Sequence, residues 1–404
     1  MCDASPSLQY RPKVLLDSQH TDSVNALAFS RDGRYIASCG SDGLLIVWCI
    51  QSGEALHRVD ATKESPGPLL SLVWAQCGAE NIISGSQDGS IITISLDNNM
   101  INSQGFVAHS KPVEYLSLWS SPDLMVSGAH NEVKVWRSGE RDMWKEIWLV
   151  PEPAETAYSS RMAVIVTSVH WLNVSSEDAI IVTYLYHGIV CWNTMCSTAR
   201  WTIPLPSCAA SSFSAPYQSL VISTLSGHFD VYQIGTGVKI CTFSTKQAAQ
   251  ARKILPVLFI HEGQAVVSGS AVGQVKIWDP RKGEKIQTLK HSGEPLVQAL
   301  ASHCHKTKDA FLIASATAES GQATYVQIWE AVNTLEDSES STNQTVAFAA
   351  EMDLKYGDPR RNAKDNLNYA LPTKDRLPAY RFLFLVVFSA IFACVCGVAV
   401  IHLM

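Results

Sequence analysis

The sequence predicts an all-β chain of seven four-stranded units closed into a ring, then a linker and one C-terminal membrane-spanning helix. Three observations predict it. Short alternating apolar runs are broken by turns such as Ser41-Asp42-Gly43 and Gln87-Asp88-Gly89, the pattern of antiparallel strands on tight connections. The pattern returns in phase along most of the chain. A charge-free apolar run then opens at Phe382 and closes at Ile401.

Each repeat is marked by the residue that closes its third apolar run. These anchors are Trp48, Ile94, Trp136, Trp192, Tyr232, Trp278 and Trp329, spaced 40 to 56 residues apart. Four strands per unit at about forty to forty-five residues is the period of a propeller blade. The first unit, from His20 to Trp48, is the most regular, and that from Val266 to Asp279 is the cleanest late copy. The units ending at Trp192 and Tyr232 are the most divergent.

Over about residues 13–332 these motifs resemble the WD40-repeat family. The resemblance implies a seven-bladed β-propeller in which a His, a Ser or Thr, an Asp and a Trp pin each blade through hydrogen bonds. Blade one carries the full set as His20, Ser38, Asp42 and Trp48. Blade three carries His109, Ser127 and Trp136, with Asn131 in the place of the Asp, and blade seven carries His291, Ser315 and Trp329. Partial sets are Ser84 and Asp88 in blade two, Trp192 in blade four, and Ser268 with Trp278 in blade six, where Val272 replaces the Asp. The resemblance also implies that an N-terminal strand, at Lys13 to Ser18, completes the last blade and hides an edge that would otherwise invite pairing. Residues just before the turn Asp line the binding face in such proteins, which nominates Ser41, Gln87 and His130 for protein contacts. Arg281, in Trp278-Asp279-Pro280-Arg281, looks like the docking residue of WD40 receptors for cullin-RING ubiquitin ligases.

The C-terminal part reads differently. Residues 333–380 form a polar linker, acidic from Leu335 to Thr345 and expected to be flexible. The apolar run at 382–401 has the length of a bilayer-crossing helix and no polar stripe. Lys374, Arg376 and Arg381 precede it, and no Lys or Arg follows, so the propeller is expected on the cytosolic side in a tail-anchored layout. The endoplasmic reticulum or another secretory membrane is the expected site, and the sequons at Asn173 and Asn343 would then be unused. The start of the chain carries no signal-peptide pattern.

Composition narrows the function classes. A net charge of -6 and pI near 6.1, without a long Lys/Arg run, argue against nucleic acid as partner. Eleven scattered cysteines suit a reducing compartment. There is no phosphate-cradling Gly-rich loop and no nucleophile elbow, so no enzyme, no cofactor and no small-molecule substrate are expected. His303-Cys304-His305 packs potential ligands too tightly for one ion, so no metal is expected. Trp144 and Trp148 are expected on one outer strand, covering its neighbour. The function expected is a membrane-tethered interaction scaffold or adaptor that presents a cytosolic propeller to protein partners. Two alternatives are a guanine-nucleotide exchange factor for a small GTPase at the endoplasmic reticulum, by analogy with propellers set before a membrane span, and a ubiquitin-ligase substrate receptor through Arg281.

Overall fold

The computed structural model describes residues 8–333, apart from 18, 76–80, 98–99, 120–122, 140–142, 175–176, 195, 245–252, 294, 306–309 and 319–323. Short β-branched and apolar runs between Gly, Asp and Asn turns give strands and almost no helix. Blade one is Val24–Phe29, Tyr35–Gly40, Leu44–Cys49 and Ala55–Asp60. Blade two is Leu69–Trp74, Asn81–Ser86, Ser90–Asp97 and Met100–Val107. Blade three runs from Tyr115 to Leu149, blade four from Val166 to Ile203, blade five from Ala210 to Ser244 and blade six from Val257 to Lys290, each an antiparallel four-stranded sheet.

Blade seven is built from both ends of this region. Its chain-order strands are Leu296–His305, Ala310–Ala318 and Val326–Asn333, and the N-terminal strand Leu8–Leu16 pairs antiparallel with the last of them. The closing strand therefore starts earlier than Lys13 and stops before Asp17. It carries a bulge at Pro12/Val14, where a proline costs no needed ladder bond because the strand is an edge. Tyr10 also clasps blade six: its N–H donates to Gln287 Oε1 (2.9 Å) and its carbonyl accepts from Gln287 Nε2 (2.7 Å).

The first strand of each blade packs against the first strands of both neighbouring blades, and the series runs from blade seven back to blade one. The ring is closed. Its core lies between blades, because strand side chains alternate. In blade one, Ile36, Ile46 and Trp48 pack toward blade seven, whereas Ala37, Leu45 and Val47 pack toward blade two. Seven such apolar clusters among the described residues each fill one interface.

No helix among the described residues is long and apolar enough to cross a membrane. The expected linker at 333–380 and the expected span from Phe382 to Ile401 lie outside the described residues, but for residue 333.

Candidate functional site

The pins decide which residues gather at one end of the ring. In blade one, Trp48 Nε1–H donates to Ser38 Oγ (2.9 Å), so the serine proton goes to His20 Nε2 (2.8 Å) and leaves Nδ1–H to donate to Asp42 (3.0 Å). Asp42 also accepts the backbone N–H of Thr21 (2.9 Å) and Leu44 (3.1 Å). Burial pushes the Asp42 carboxyl up, but these bonds and His20 outweigh it and hold it below the ordinary range. The polar chain is buried and satisfied, the condition under which such groups can be carried between blades.

Blade three makes the same chain with a different acid. His109 Nε2 meets Ser127 Oγ (2.7 Å), Trp136 Nε1 donates to that oxygen (2.7 Å), and His109 Nδ1 meets Glu132 Oε2 (3.0 Å). Asn131 does not fill the Asp place. The hairpin is one residue shorter here, with Ala129 paired directly to Glu132, and the longer glutamate reaches from the strand itself. In blade seven His291 Nε2 meets Ser315 Oγ (2.9 Å), Trp329 Nε1 donates to it (2.8 Å), and Tyr325 Oη takes the acid's place against His291 Nδ1 (3.2 Å). Sequence alone gave no fixed spacing by which to find Glu132 or Tyr325.

The other blades keep fragments. In blade six Trp278 Nε1 donates to Ser268 Oγ (2.9 Å). In blade four Trp192 Nε1 donates to Tyr184 Oη (3.3 Å), since Val182 stands where a serine would be. In blade two Ile94 replaces the Trp, and Ser84 turns to the carbonyl of Ser71 (2.9 Å). Asp88 accepts the N–H of Ser90 (2.9 Å). Burial raises its carboxyl, and hydrogen bonds from Ser65, Ser90 and Ser86 bring it below the ordinary range. Its turn needs Gly89 at φ +91, where a Cβ would fall 2.1 Å from the His109 carbonyl oxygen.

Because every blade runs in the same sense, all turns between second and third strands share one end of the ring. Ser41, Gln87 and His130 sit in three of these turns. Ser41 Oγ accepts from Asn25 Nδ2 (3.1 Å), Gln87 N–H donates to the carbonyl of Pro68 (3.0 Å), and His130 is exposed at φ +52. Burial and then the charge of Lys111 lower the His130 imidazole below its ordinary range.

Three residues that sequence reasoning missed join this end at the mouth of the ring. Bulges at the start of the first strands re-aim Asn25 in blade one and Gln298 in blade seven. Gln298 Nε2 donates to Asn25 Oδ1 (2.6 Å), and Asn25 Nδ2 also donates to the carbonyl of Leu69 (2.7 Å), tying blades seven, one and two. Glu114 immediately precedes the first strand of blade three, Tyr115–Leu118. Solvent reaches it, yet the enclosing blades strip enough hydration to push its carboxyl up to about 7.

Arg281 lies at the opposite end, in the turn after Trp278. Its guanidinium donates to Tyr217 Oη (3.2 Å) and stands 5.2 Å from that ring's centre, a staple from blade six to blade five. Trp144 and Trp148 do share the outer strand of blade three, Trp144–Leu149. The register shift between them sends Trp144 to Thr93 of blade two (3.3 Å) and Trp148 against the blade-four cluster. His303 and Cys304 alternate across the first strand of blade seven, and no group of three His, Cys, Asp or Glu side chains able to hold a metal occurs among the described residues.

Comparison with known proteins agrees with this architecture. Residues 13–49 match the family model described as WD domain, G-beta repeat. The chain is 23% identical over 306 residues to WD repeat-containing protein 82 of Drosophila melanogaster, covering 71% of this chain and 89% of that protein. It is 32% identical over 91 residues to WD repeat, SAM and U-box domain-containing protein 1 of Danio rerio, covering 22% of this chain and 18% of the relative. Ribosomal RNA-processing protein 9 of Saccharomyces cerevisiae is 26% identical over 139 residues, 34% of this chain and 22% of its own length. The chain thus spans about a fifth of two of these three relatives. Its likeness, in sequence as in its seven-bladed ring, is to WD-repeat proteins.

Proposed function

We propose that the protein is a non-catalytic, membrane-tethered scaffold that binds protein partners on the ring end bearing Ser41, Gln87 and His130. What supports this reading is that the three residues sit in equivalent turns between second and third strands, with Ser41 bonded to Asn25, which Gln298 joins from blade seven, on a frame held by the buried pins. Rigid frames with variable turns suit recognition of a peptide or a protein surface. The WD-repeat likeness supports protein binding of this kind. The tether is the apolar run at 382–401, and the basic residues before it favour a cytosolic propeller on a secretory membrane. Arg281 favours the ligase-receptor alternative less, since Tyr217 already engages its guanidinium.

The tether is tested by protease protection on microsomes from cells expressing the chain with a tag at each end. An N-terminal tag that is digested while the C-terminal tag is protected is the expected outcome. Protection of the N-terminal tag, or release of the chain by alkaline extraction, would overturn it.

A further inference from the structure

The outer strands of several blades hold one extra residue beside the anchor residue that closes the third strand. The register shift there leaves Leu56 in blade one, Ile147 in blade three, Ile240 in blade five and Ile286 in blade six without a ladder partner. A bulge re-aims the side chain it frees. All four aliphatics are exposed, between 42% and 56%. Blades four and seven place Arg200 and Lys13 at the same position. One exposed aliphatic needs no explanation, but the same exposure in four repeats at one structural position does.

These positions lie toward the ring end that carries Arg281, and they come closest together where blade six leans on blade five. Cys241 Sγ donates to the carbonyl of Pro280 (2.9 Å), and a Cβ at Gly283 would stand 3.3 Å from the Thr242 carbonyl oxygen. The turn after Trp278 therefore lies along the outer strand Lys239–Ser244. That seats Ile240 and the exposed Val238 near a turn that carries Lys282 and runs on into Lys285 and Ile286. Lys239, Lys282 and Lys285 are exposed, and Glu284 is an exposed acid in the same turn. Exposed aliphatics among long cationic side chains suit the headgroup layer of a bilayer, which buries the carbons and leaves the ammonium groups among lipid phosphates.

Charge and chain path decide what covers this face. The seven outer strands carry eight Lys or Arg against two acids, Asp60 and Glu146, in a chain of net charge -6. Two copies meeting through this rim would oppose like charges, whereas an anionic leaflet attracts it. The described chain also leaves blade seven at this end, since Val326–Asn333 runs on past Trp329, and the apolar run at 382–401 lies downstream.

We propose that this face of blades five and six docks on an anionic bilayer, with Val238, Ile240 and Ile286 entering the headgroup layer and Lys239, Lys282 and Lys285 meeting lipid phosphates. The docking rests on the reading of 382–401 as a tether, which brings the ring to the membrane. It turns the end with Ser41, Gln87 and His130 away from the bilayer and toward partners.

The test uses the full-length protein reconstituted in vesicles, with a fluorescent amino acid placed singly at 240, 286 or, at the other end, 87. Acyl-brominated phosphatidylcholine is the quencher. In vesicles of about 3:1 phosphatidylcholine to phosphatidylserine, probes at 240 and 286 are quenched at least about twofold more than the probe at 87. Lys282→Glu combined with Lys285→Glu returns both to the level of 87. Lys63→Glu combined with Lys111→Glu, the same charge change at the other end, leaves them quenched. Alkaline extraction of the same vesicles reads the tether separately, and excess quenching in a chain that alkali releases upholds the docking without the tether. No excess quenching at 240 and 286, or an excess that survives reversal of Lys282 and Lys285, overturns the docking whether or not the chain resists alkali, and leaves the face to a second copy or a protein partner.

Discussion

Ser38 serves two partners at once, accepting from Trp48 and donating to His20, whereas Ser268 serves Trp278 alone. Ser38→Ala leaves two buried polar groups unpaired and is expected to destabilise by about 2–3 kcal/mol, against about 1 kcal/mol for Ser268→Ala. Urea unfolding of both variants measures the difference. In blade three the acid is Glu132, so Glu132→Ala should cost about 1–2 kcal/mol while Asn131→Ala stays within about 0.5 kcal/mol. Equal costs would contradict the assignment.

The buried histidines give stability a pH dependence with a definite sign. Burial lowers His291 and His170 to about 4, and these imidazoles fold in their neutral form. The unfolded chain binds their protons at an ordinary pKa near 6.5, so their stabilising contribution is whole above that value and lost as pH falls toward 4. Asp42 acts in the same direction at lower pH, since its depressed carboxyl must be protonated on acidification. Melting temperature should therefore drop between pH 7 and 4.5, and His291→Gln, though less stable at pH 7, should drop less over that interval. Glu114 works against this trend. Its raised carboxyl makes ionisation unfavourable in the fold, so Glu114→Gln should raise the melting temperature at pH 8 and leave it unchanged at pH 4.

At the scale of elements the closing strand is the weak point, because it is held on one edge only and reached from the far end of the chain. Gln287 grips both backbone groups of Tyr10. Gln287→Ala should speed amide hydrogen exchange in Leu8–Leu16 by about tenfold or more while leaving blades two to five unchanged. Unchanged protection of that strand would mean that its ladder with Val326–Asn333 suffices alone. Elements of this kind were the most legible part of the sequence, because two-residue alternation and Asp-Gly turns act locally. Trp48, Trp136, Trp278 and Trp329 advertised their strands, and Ser38, Ser127, Ser268 and Ser315, each two residues past the tryptophan's cross-strand partner, followed from register. What stayed hidden depends on chain segments far apart. Glu132 and Tyr325 reach His109 and His291 from unequal spacings, Asn25 and Gln298 meet only when the ring closes, and the start of the closing strand at Leu8 is decided by the edge of blade seven.

The whole molecule distributes its core over interfaces between blades, so no blade can bury its apolar faces alone. That arrangement makes the frame stiff and leaves the turns at its two ends to vary. The proposed protein-binding face uses one end, where Ser41, Gln87 and His130 occupy equivalent turns, and the Arg281 turn marks the other. The most direct test of that assignment is photo-cross-linking in intact cells, with a photoreactive residue placed singly at 41, 87, 130 or, at the opposite end, 282. A shared cross-linked protein from 41, 87 and 130 that is missing from 282 is the expected result. The same protein captured from 282 alone, or unrelated products from the three turns, would contradict it.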